Sequence, residues 1–195
     1  MSKGQQTRKE IIRLAAPIFN QKGFSGTALS DLMDATGLEK GGIYRHFRSK
    51  QQLAAESFDY TWRLAFHKRT HDTAEIANSV DRLKQIIRNF ADRTGLVPGG
   101  CPILNTATEA DDSNPHLRRR ARKALDQWSS HLARILEAGK SRREVRRNVQ
   151  SRRAAVTIIS TLEGALMMAR LQKSDAPLHN AIQHLDAWLE SDVRA

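Results

Sequence analysis

A single cysteine and the lack of long apolar runs limit where this chain of 195 residues can act. Because Cys101 is the one thiol, an intrachain disulfide is excluded, which is typical of proteins in a reducing compartment. The first ten residues, MSKGQQTRKE, lack the apolar segment that a secretory signal needs. No uninterrupted apolar run is long enough to suggest a membrane span. We therefore predict a cytoplasmic protein that does not enter a membrane.

Catalytic and metal-binding patterns are also missing from the sequence. There is no glycine-rich phosphate loop, no G-x-S-x-G segment and no recognisable pair of carboxylates. His67 and His71 lie one helical turn apart, but no third ligand accompanies them at the spacing of a metal site. We predict that the chain is not an enzyme and that it needs neither a metal nor a cofactor.

The charge is strongly one-sided, with 32 basic and 21 acidic side chains and a formal net charge of +11. A basic excess without a lipid-anchoring signal favours nucleic acid over a membrane as the partner. The hydrophobic share of 39% is enough to fill a core, so the chain should be globular.

Residues 27–50, TALSDLMDATGLEKGGIYRHFRSK, carry a helix-turn-helix pattern. Leu29, Leu32 and Met33 form an apolar stripe on a short helix that Thr27 is expected to cap. Gly37 supplies the positive φ of the turn, and a second short helix over residues 40–47 keeps its apolar side chains inward at spacing i, i+4. Two glycines near the start of that helix lower its propensity, which indicates that a phosphodiester chain approaches the bare backbone there. We predict that this helix enters the major groove of DNA.

The segment GFSGTALSDLMDATGLEKGGIYRHFRSKQQL, with AAPIFNQKG before it, resembles the TetR family of one-component transcriptional regulators over about residues 7–55. The resemblance implies an all-α fold in which the C-terminal two-thirds dimerises and holds a small-molecule pocket. It further implies that the DNA phosphates are gripped by side chains at Tyr44, His46 and Lys50, with backbone N–H groups near Thr27 and Gly42 assisting. Lys40, Gly41 and Arg45 are then the expected readers of base edges, because arginine binds guanine in bidentate fashion. The alternative for Tyr44 and His46 is simple packing against the first helix.

Helical periodicity continues through the rest of the chain, so we predict an all-α protein of about nine helices. A T-x-x-E capping box at Thr7 should open the first helix, Pro17 should kink it and Gly23 should end it. The later helices are predicted to end near His71, Gly95, Ala110, Gly139, Leu171 and Val193, with a basic linker over residues 140–153. We assign residues 1–50 to a helix-turn-helix domain and residues 51–195 to a ligand-binding and dimerisation domain. The apolar surface of the last two helices predicts a homodimer through them, which the resemblance also implies.

Several bulky or unusual side chains on the later helices are candidates for a ligand pocket, although core packing is the competing interpretation for each of them. Glu163 lies within an apolar helix and needs a cavity, a surface or a partner such as Arg170. Cys101 lies in a Gly-Pro loop, where a redox sensor and a plain buried thiol are both open. The predicted pocket residues are Trp62, Phe66, Phe90, Cys101, Trp128, Glu163 and Met167.

A second basic cluster follows the helix-turn-helix, because residues 116–153 hold 13 basic and three acidic side chains. A solvated face, an auxiliary DNA contact and an anionic ligand at a pocket mouth all fit such a run.

These features predict a dimeric repressor of transcription that binds operator DNA and is released by an unknown small-molecule inducer. A ligand among the fourth to eighth helices would swing the fourth helix and alter the separation of the two DNA-binding heads. The alternative is a DNA-binding architectural or protein-recruiting factor without a small-molecule ligand.

Overall fold

The computed structural model of the chain describes residues 2–92 and 97–195. Within these residues the fold is all-α, as predicted, with one isolated β-bridge between Val145 and Arg194. Nine α-helices are described: α1 (Lys3–Gly26), α2 (Leu29–Thr36), α3 (Lys40–Tyr44), α4 (Lys50–Thr70), α5 (Ser79–Ala91), α6 (Pro102–Ala110), α7 (Pro115–Ser141), α8 (Ser151–Gln172) and α9 (Ala176–Trp188). A short π-helical segment, Leu189–Val193, continues α9.

The described residues form two compact units, and neither unit is continuous in sequence. The first unit contains residues 2–65 and 97–124, and the second contains residues 66–92 and 125–195. Thus α6 and the first turns of α7 fold together with the helix-turn-helix. The functional boundary that we placed after residue 50 remains a prediction.

A small apolar core holds α1, α2, α3 and the start of α4 together in the first unit. Leu32, Ile43 and Phe47 are each at most 1% exposed, which confirms that the spacing i, i+4 in the second short helix points inward. Their buried partners are Ile11, Ala15 and Leu53. Burial of a large apolar side chain is worth about 1.5–3 kcal/mol, so these contacts fix the position of α3.

The capping of α2 differs from the prediction. The helix begins at Leu29, and the carboxylate of Asp31 accepts a hydrogen bond from the backbone N–H of Ala28 at 2.8 Å. Thr27 is therefore not the N-cap; its hydroxyl donates instead to the carbonyl oxygen of Gly23 at 2.5 Å. The turn after α2 is as predicted, because Gly37 adopts φ +65° in the left-handed region.

The first helix starts earlier than predicted. Ser2 caps α1 in a reciprocal capping box with Gln5, so the competing box at Thr7 is not used and the Thr7 hydroxyl donates to the Lys3 carbonyl within the helix. Within α1, whose residues are all described, the dihedral angles are non-helical at Gly23 (φ 74°, ψ 177°) rather than at Pro17. Gly23 thus interrupts the helix as predicted, and residues 24–26 form a further short turn.

The recognition helix is shorter than expected. α3 ends at Tyr44 instead of Phe47, because the N–H of His46 bonds to the Ile43 carbonyl at spacing i, i+3 and tightens the chain. Ser49 caps α4 through a bond from the Gln52 N–H, while the Gln52 side chain accepts from Arg48 rather than from Ser49.

The second unit is built from α5, most of α7, α8 and α9 around a core of large side chains. Trp128, Leu132, Ile158, Leu162 and Leu185 are all fully buried. The predicted linker 140–153 is shorter than expected, because α7 runs to Ser141 and α8 begins at Ser151. α5 ends at Ala91, and the predicted stop at Gly95 lies outside the described residues.

Among the described helices, α8 is long and apolar enough by composition to cross a membrane, contrary to our expectation that no such segment exists. Half of its most apolar 18-residue window is buried inside the second unit, however. α8 is therefore a half-buried core helix.

Candidate nucleic-acid interface and ligand cluster

On the outward face of α3 a lysine side chain lies next to backbone that no side chain covers, at a glycine. Lys40, Gly41 and Arg45 are exposed, while Ile43 on the same helix is buried. A Cβ built at Gly41 would meet no heavy atom of the described residues within 4 Å beyond its own helix and chain neighbours. At Gly42, by contrast, the Cβ would approach the Cβ of Leu38 to 3.4 Å. Packing inside the chain therefore explains Gly42 better than it explains Gly41.

The predicted phosphate contacts Tyr44 and His46 follow directly at the end of α3, and both are half-buried. The carbonyl of His46 accepts a hydrogen bond from Nε of Arg8 at 3.4 Å. Arg8 also lies over the ring of Phe47, 4.6 Å from its centroid, and bonds Glu56 at 2.5 Å. Arg8 thus holds the end of α3 against α1 and α4, so both proposed roles of Tyr44 and His46, packing and phosphate contact, remain compatible with their position.

Lys50 lies at the start of α4, the position that the family resemblance assigns to a phosphate contact. Its Nζ is 4.5 Å from the centroid of the Phe24 ring, a cation–π distance. Phe24 belongs to the turn that follows the break at Gly23, and Thr27 ends that turn. Thr27 is buried, so a contact between this residue and DNA would use its backbone N–H, as the prediction stated.

A residue that the sequence did not reveal also reaches this turn. The carboxylate of Glu109 in α6 accepts hydrogen bonds from the backbone N–H groups of Phe24 and Ser25, at 2.8 and 2.7 Å. Since 84 and 85 residues separate the partners, no local pattern points to this contact.

The predicted pocket residues do not form one group. Trp62 and Cys101 are buried in the first unit, 7% and 3% exposed, so Cys101 is a buried thiol. Phe66, Phe90, Trp128, Glu163 and Met167 belong to the second unit. Met167 is 48% exposed on the outer face of α8 and lines no interior of this unit, because helical spacing places it opposite the buried Ile158–Leu162 side.

Three of the predicted residues meet around a buried arginine, which sequence reasoning missed. The rings of Phe90 and Trp128 are stacked with centroids 5.5 Å apart. The guanidinium carbon of Arg69 lies 4.6 Å from the Phe90 ring centroid and 4.0 Å from that of Trp128. A carboxylate oxygen of Glu163 is 3.9 Å from Arg69, so the ion pair suspected with Arg170 is made with Arg69 instead. Arg170 is exposed.

A histidine lies beside this cluster. The ring of His131 meets Phe66 edge-on, with centroids 5.4 Å apart. Burial lowers the pKa of His131 below its ordinary value, and the neighbouring charges of Arg82 and Arg134 lower it further. The Nε2 atom of His131 and the Nε atom of Arg82 are buried without a hydrogen-bond partner among the described residues. The second unit therefore combines packed aromatic rings with buried polar atoms that have no hydrogen-bond partner among the described residues.

The second basic cluster is divided between the two units. Arg118, Arg119 and Lys123 are exposed in the first unit, and Arg146 and Arg147 are exposed in the second. Exposure is what a solvated face requires. A search of residues 2–92 and 97–195 finds no group of three or more His, Cys, Asp or Glu residues arranged to hold a metal.

A short basic helix with a buried apolar side, presented by a three-helix unit, defines a helix-turn-helix DNA-binding protein. The sequence model described as bacterial regulatory proteins, tetR family, matches residues 11–56, and that of the tetracyclin repressor-like C-terminal domain matches residues 79–185. The chain belongs to the TetR family of transcriptional regulators. In this family the N-terminal domain binds operator DNA and the C-terminal domain binds ligands and dimerises. The protein is thus a non-enzymatic regulator.

Solved structures and curated relatives match more than nine-tenths of the chain. The chain is similar to a TetR transcriptional regulator from Chloroflexus aurantiacus J-10-FL, with 45% identity, a TM-score of 0.94 and coverage of 100% of this chain and 99% of that one. A TetR-family regulator from Cytophaga hutchinsonii shows 32% identity and a TM-score of 0.93, with 99% and 98% covered. The transcriptional repressor NemR of Escherichia coli K12 is 24% identical over 185 residues, with 92% of each chain covered.

Proposed function

We propose that this chain is a dimeric, cytoplasmic repressor that binds operator DNA through α3 and leaves it when a small-molecule inducer binds the second unit. The observation that carries the proposal is the exposed face of α3. It combines Lys40 with an open backbone at Gly41, and Arg45 follows directly after the helix, while the buried Ile43 holds α3 against the core.

Dimerisation is supported by the outer face of α8. Val156, Met167 and Leu171 are 58%, 48% and 78% exposed and recur at helical spacing on one side. Gly164 lies between them, and a Cβ built there would meet no described heavy atom within 4 Å beyond its own helix and chain neighbours. A small residue within an apolar stripe allows a second helix to approach closely. A two-fold copy of α8 and α9 is the occupant that we propose for this face.

Release by a small molecule is supported by the chemistry of the second unit. The ring of Phe66 contacts His131, and the stacked rings of Phe90 and Trp128 contact the guanidinium of Arg69. The Nε2 atom of His131 and the Nε atom of Arg82 are buried without a hydrogen-bond partner among the described residues, which costs free energy, so this composition suits an organic ligand with an oxygen acceptor. In a dimer, two heads must lie about 34–36 Å apart to meet successive major grooves. A ligand that favours another separation by about 3 kcal/mol would change DNA occupancy about a hundredfold.

The proposal is tested by a fluorescence-anisotropy titration of the protein with the DNA upstream of its own gene and with scrambled DNA, at two salt concentrations. A preference of about a thousandfold or more for one sequence is the result that we expect. Equal and salt-sensitive binding to both DNAs would favour an architectural factor, or an operator elsewhere. Substitution Arg45→Glu should abolish the specific binding and leave the dimer intact. Survival of binding in that variant would contradict our assignment of the reading helix.

A further inference from the structure

The break in α1 at Gly23 creates a short helical turn whose backbone N–H groups need an acceptor. Phe24 and Ser25 follow a residue with φ 74° and ψ 177°, so their N–H groups lack the intrahelical carbonyl that a continuous helix would provide. The carboxylate of Glu109 supplies both acceptors, at 2.8 and 2.7 Å. Hydrogen bonds of this kind are strengthened by the negative charge of the acceptor.

The absence of a side chain at Gly23 leaves room for the carboxylate of Glu109. A Cβ at Gly23 would lie 2.5–2.9 Å from the Oε2, Cδ and Oε1 atoms of Glu109. Gly23 is therefore required both by its positive φ and by the approach of the carboxylate. Gly23 and Glu109 are therefore matched to each other in the fold, although they are distant in sequence.

The same turn contacts one residue that we assign to DNA binding, Lys50, and contains another, Thr27. The ring of Phe24 lies against Nζ of Lys50 at 4.5 Å, and the hydroxyl of Thr27 closes the turn onto the Gly23 carbonyl at 2.5 Å. A shift of residues 24–27 would therefore move the ring that orients Lys50 and the backbone N–H of Thr27 together.

We propose that Glu109 is a positioning residue for operator binding, which acts through Phe24 and Lys50 from α6 without touching DNA. This inference rests on the proposed phosphate contact of Lys50. Through the hydrogen bonds to Glu109, α6 holds the turn that contacts DNA, so a ligand that moves α6 relative to α1 would loosen that turn.

Removal of Glu109 should change DNA affinity in opposite directions depending on whether its positioning role or its negative charge matters more. Glu109 carries a negative charge on the unit that approaches phosphates, so its removal by itself would strengthen DNA binding and steepen the dependence on salt. Loss of the hydrogen bonds from Phe24 and Ser25 to Glu109 would instead weaken DNA binding and make its salt dependence shallower, because a mobile Lys50 neutralises its phosphate less effectively.

The test compares Glu109→Ala, Glu109→Gln, Lys50→Gln and the double variant Glu109→Ala/Lys50→Gln in the full chain, with Asp112→Ala as the control. Asp112 is an exposed acidic residue that follows α6, and its removal changes the charge equally. The readouts are the affinity for the operator, its salt slope, and the circular dichroism and melting temperature of each variant.

We expect Glu109→Ala to weaken binding about tenfold or more, since hydrogen bonds to a charged group are removed. The salt slope should become shallower by up to about 0.9 if one phosphate contact is lost. Glu109→Gln keeps an acceptor oxygen and should recover part of the affinity, whereas Asp112→Ala should bind as well as the parent or better. When Lys50 is already replaced by Gln, the further substitution Glu109→Ala should weaken operator binding little more.

Three results would overturn the inference in distinguishable ways. If Lys50→Gln leaves affinity and salt slope unchanged, the proposed phosphate contact fails and the positioning role fails with it. If Lys50→Gln weakens binding but Glu109→Ala strengthens it, or adds its full effect to that of Lys50→Gln, Glu109 does not act through Lys50. A folded Glu109→Ala variant with reduced melting temperature and unchanged DNA affinity would likewise reduce Glu109 to a purely structural role.

Discussion

The substitution Gly41→Ala should make the protein more stable and a poorer binder of DNA. Gly41 is the second residue of α3, it is exposed, and a Cβ there would meet no described atom within 4 Å beyond its own helix and chain neighbours. An alanine in a helix is favoured over glycine by about 0.5–1 kcal/mol, because the unfolded chain loses less conformational freedom. For a chain of this length, 1 kcal/mol raises the melting temperature by roughly 2–4 °C. If the open backbone at Gly41 serves the approach of DNA, the added methyl group must weaken operator binding despite that gain.

Gly4→Ala provides a matched control for this prediction. Gly4 is also the second residue of a helix, is exposed, and has the same open surroundings in the described part of the chain. Thermal denaturation should show a similar gain for both variants, while anisotropy titration should show a loss of affinity for Gly41→Ala and none for Gly4→Ala. Unchanged or tighter operator binding by Gly41→Ala would refute the argument that this glycine admits a phosphodiester chain.

Three further predictions concern the second unit. Leu171 is 78% exposed in the single chain, and the proposed dimer would bury two copies of it, each worth about 1.5–3 kcal/mol. Leu171→Glu should therefore weaken dimerisation by about a hundredfold or more, as measured by sedimentation, whereas Leu125→Glu on α7 should stay dimeric. Bonds from Arg194 and Lys84 lower the pKa of Glu190 to about 2, so this carboxylate contributes stability above about pH 4.5 that is lost as the pH falls towards 2. Arg194→Ala should flatten that acid loss in denaturation curves, and an unchanged curve would argue against the pair. His131 has a lowered pKa, so stability should fall as the pH drops below 6.5, and His131→Phe, which keeps the ring contact, should reduce this fall.

The helix-turn-helix could be predicted from the sequence because its determinants are local. Ile43 and Phe47 are one helical turn apart, and Gly37 lies where a left-handed residue must end α2. Helix ends were predicted less well, because several side chains compete for the same free N–H groups. Asp31 rather than Thr27 satisfies the start of α2, and Ser2 rather than Thr7 opens α1.

Contacts between distant residues could not be predicted from the sequence. Glu109 looks like any polar residue on a short helix until α6 is placed against the break in α1. Arg69 gives no sign in the sequence that its guanidinium packs against the rings of Phe90 and Trp128, since arginine side chains are mostly exposed to water. Both are charged groups whose partners are fixed by tertiary packing, which periodicity does not encode.

The discontinuous first unit has a consequence for recombination between related regulators. Exchange of residues 11–56 would bring in a foreign Gly23–Phe24 turn but keep the recipient's α6, which supplies the Glu109 carboxylate and, through Asn105, bonds to the Asn20 backbone. In such a hybrid the contact between α1 and α6 would join donor residues to recipient residues. A graft that also carries residues 97–124 would take both α1 and α6 from the same donor protein. New operator preferences should therefore arise more readily by single substitutions on the open face of α3 than by the exchange of whole cassettes.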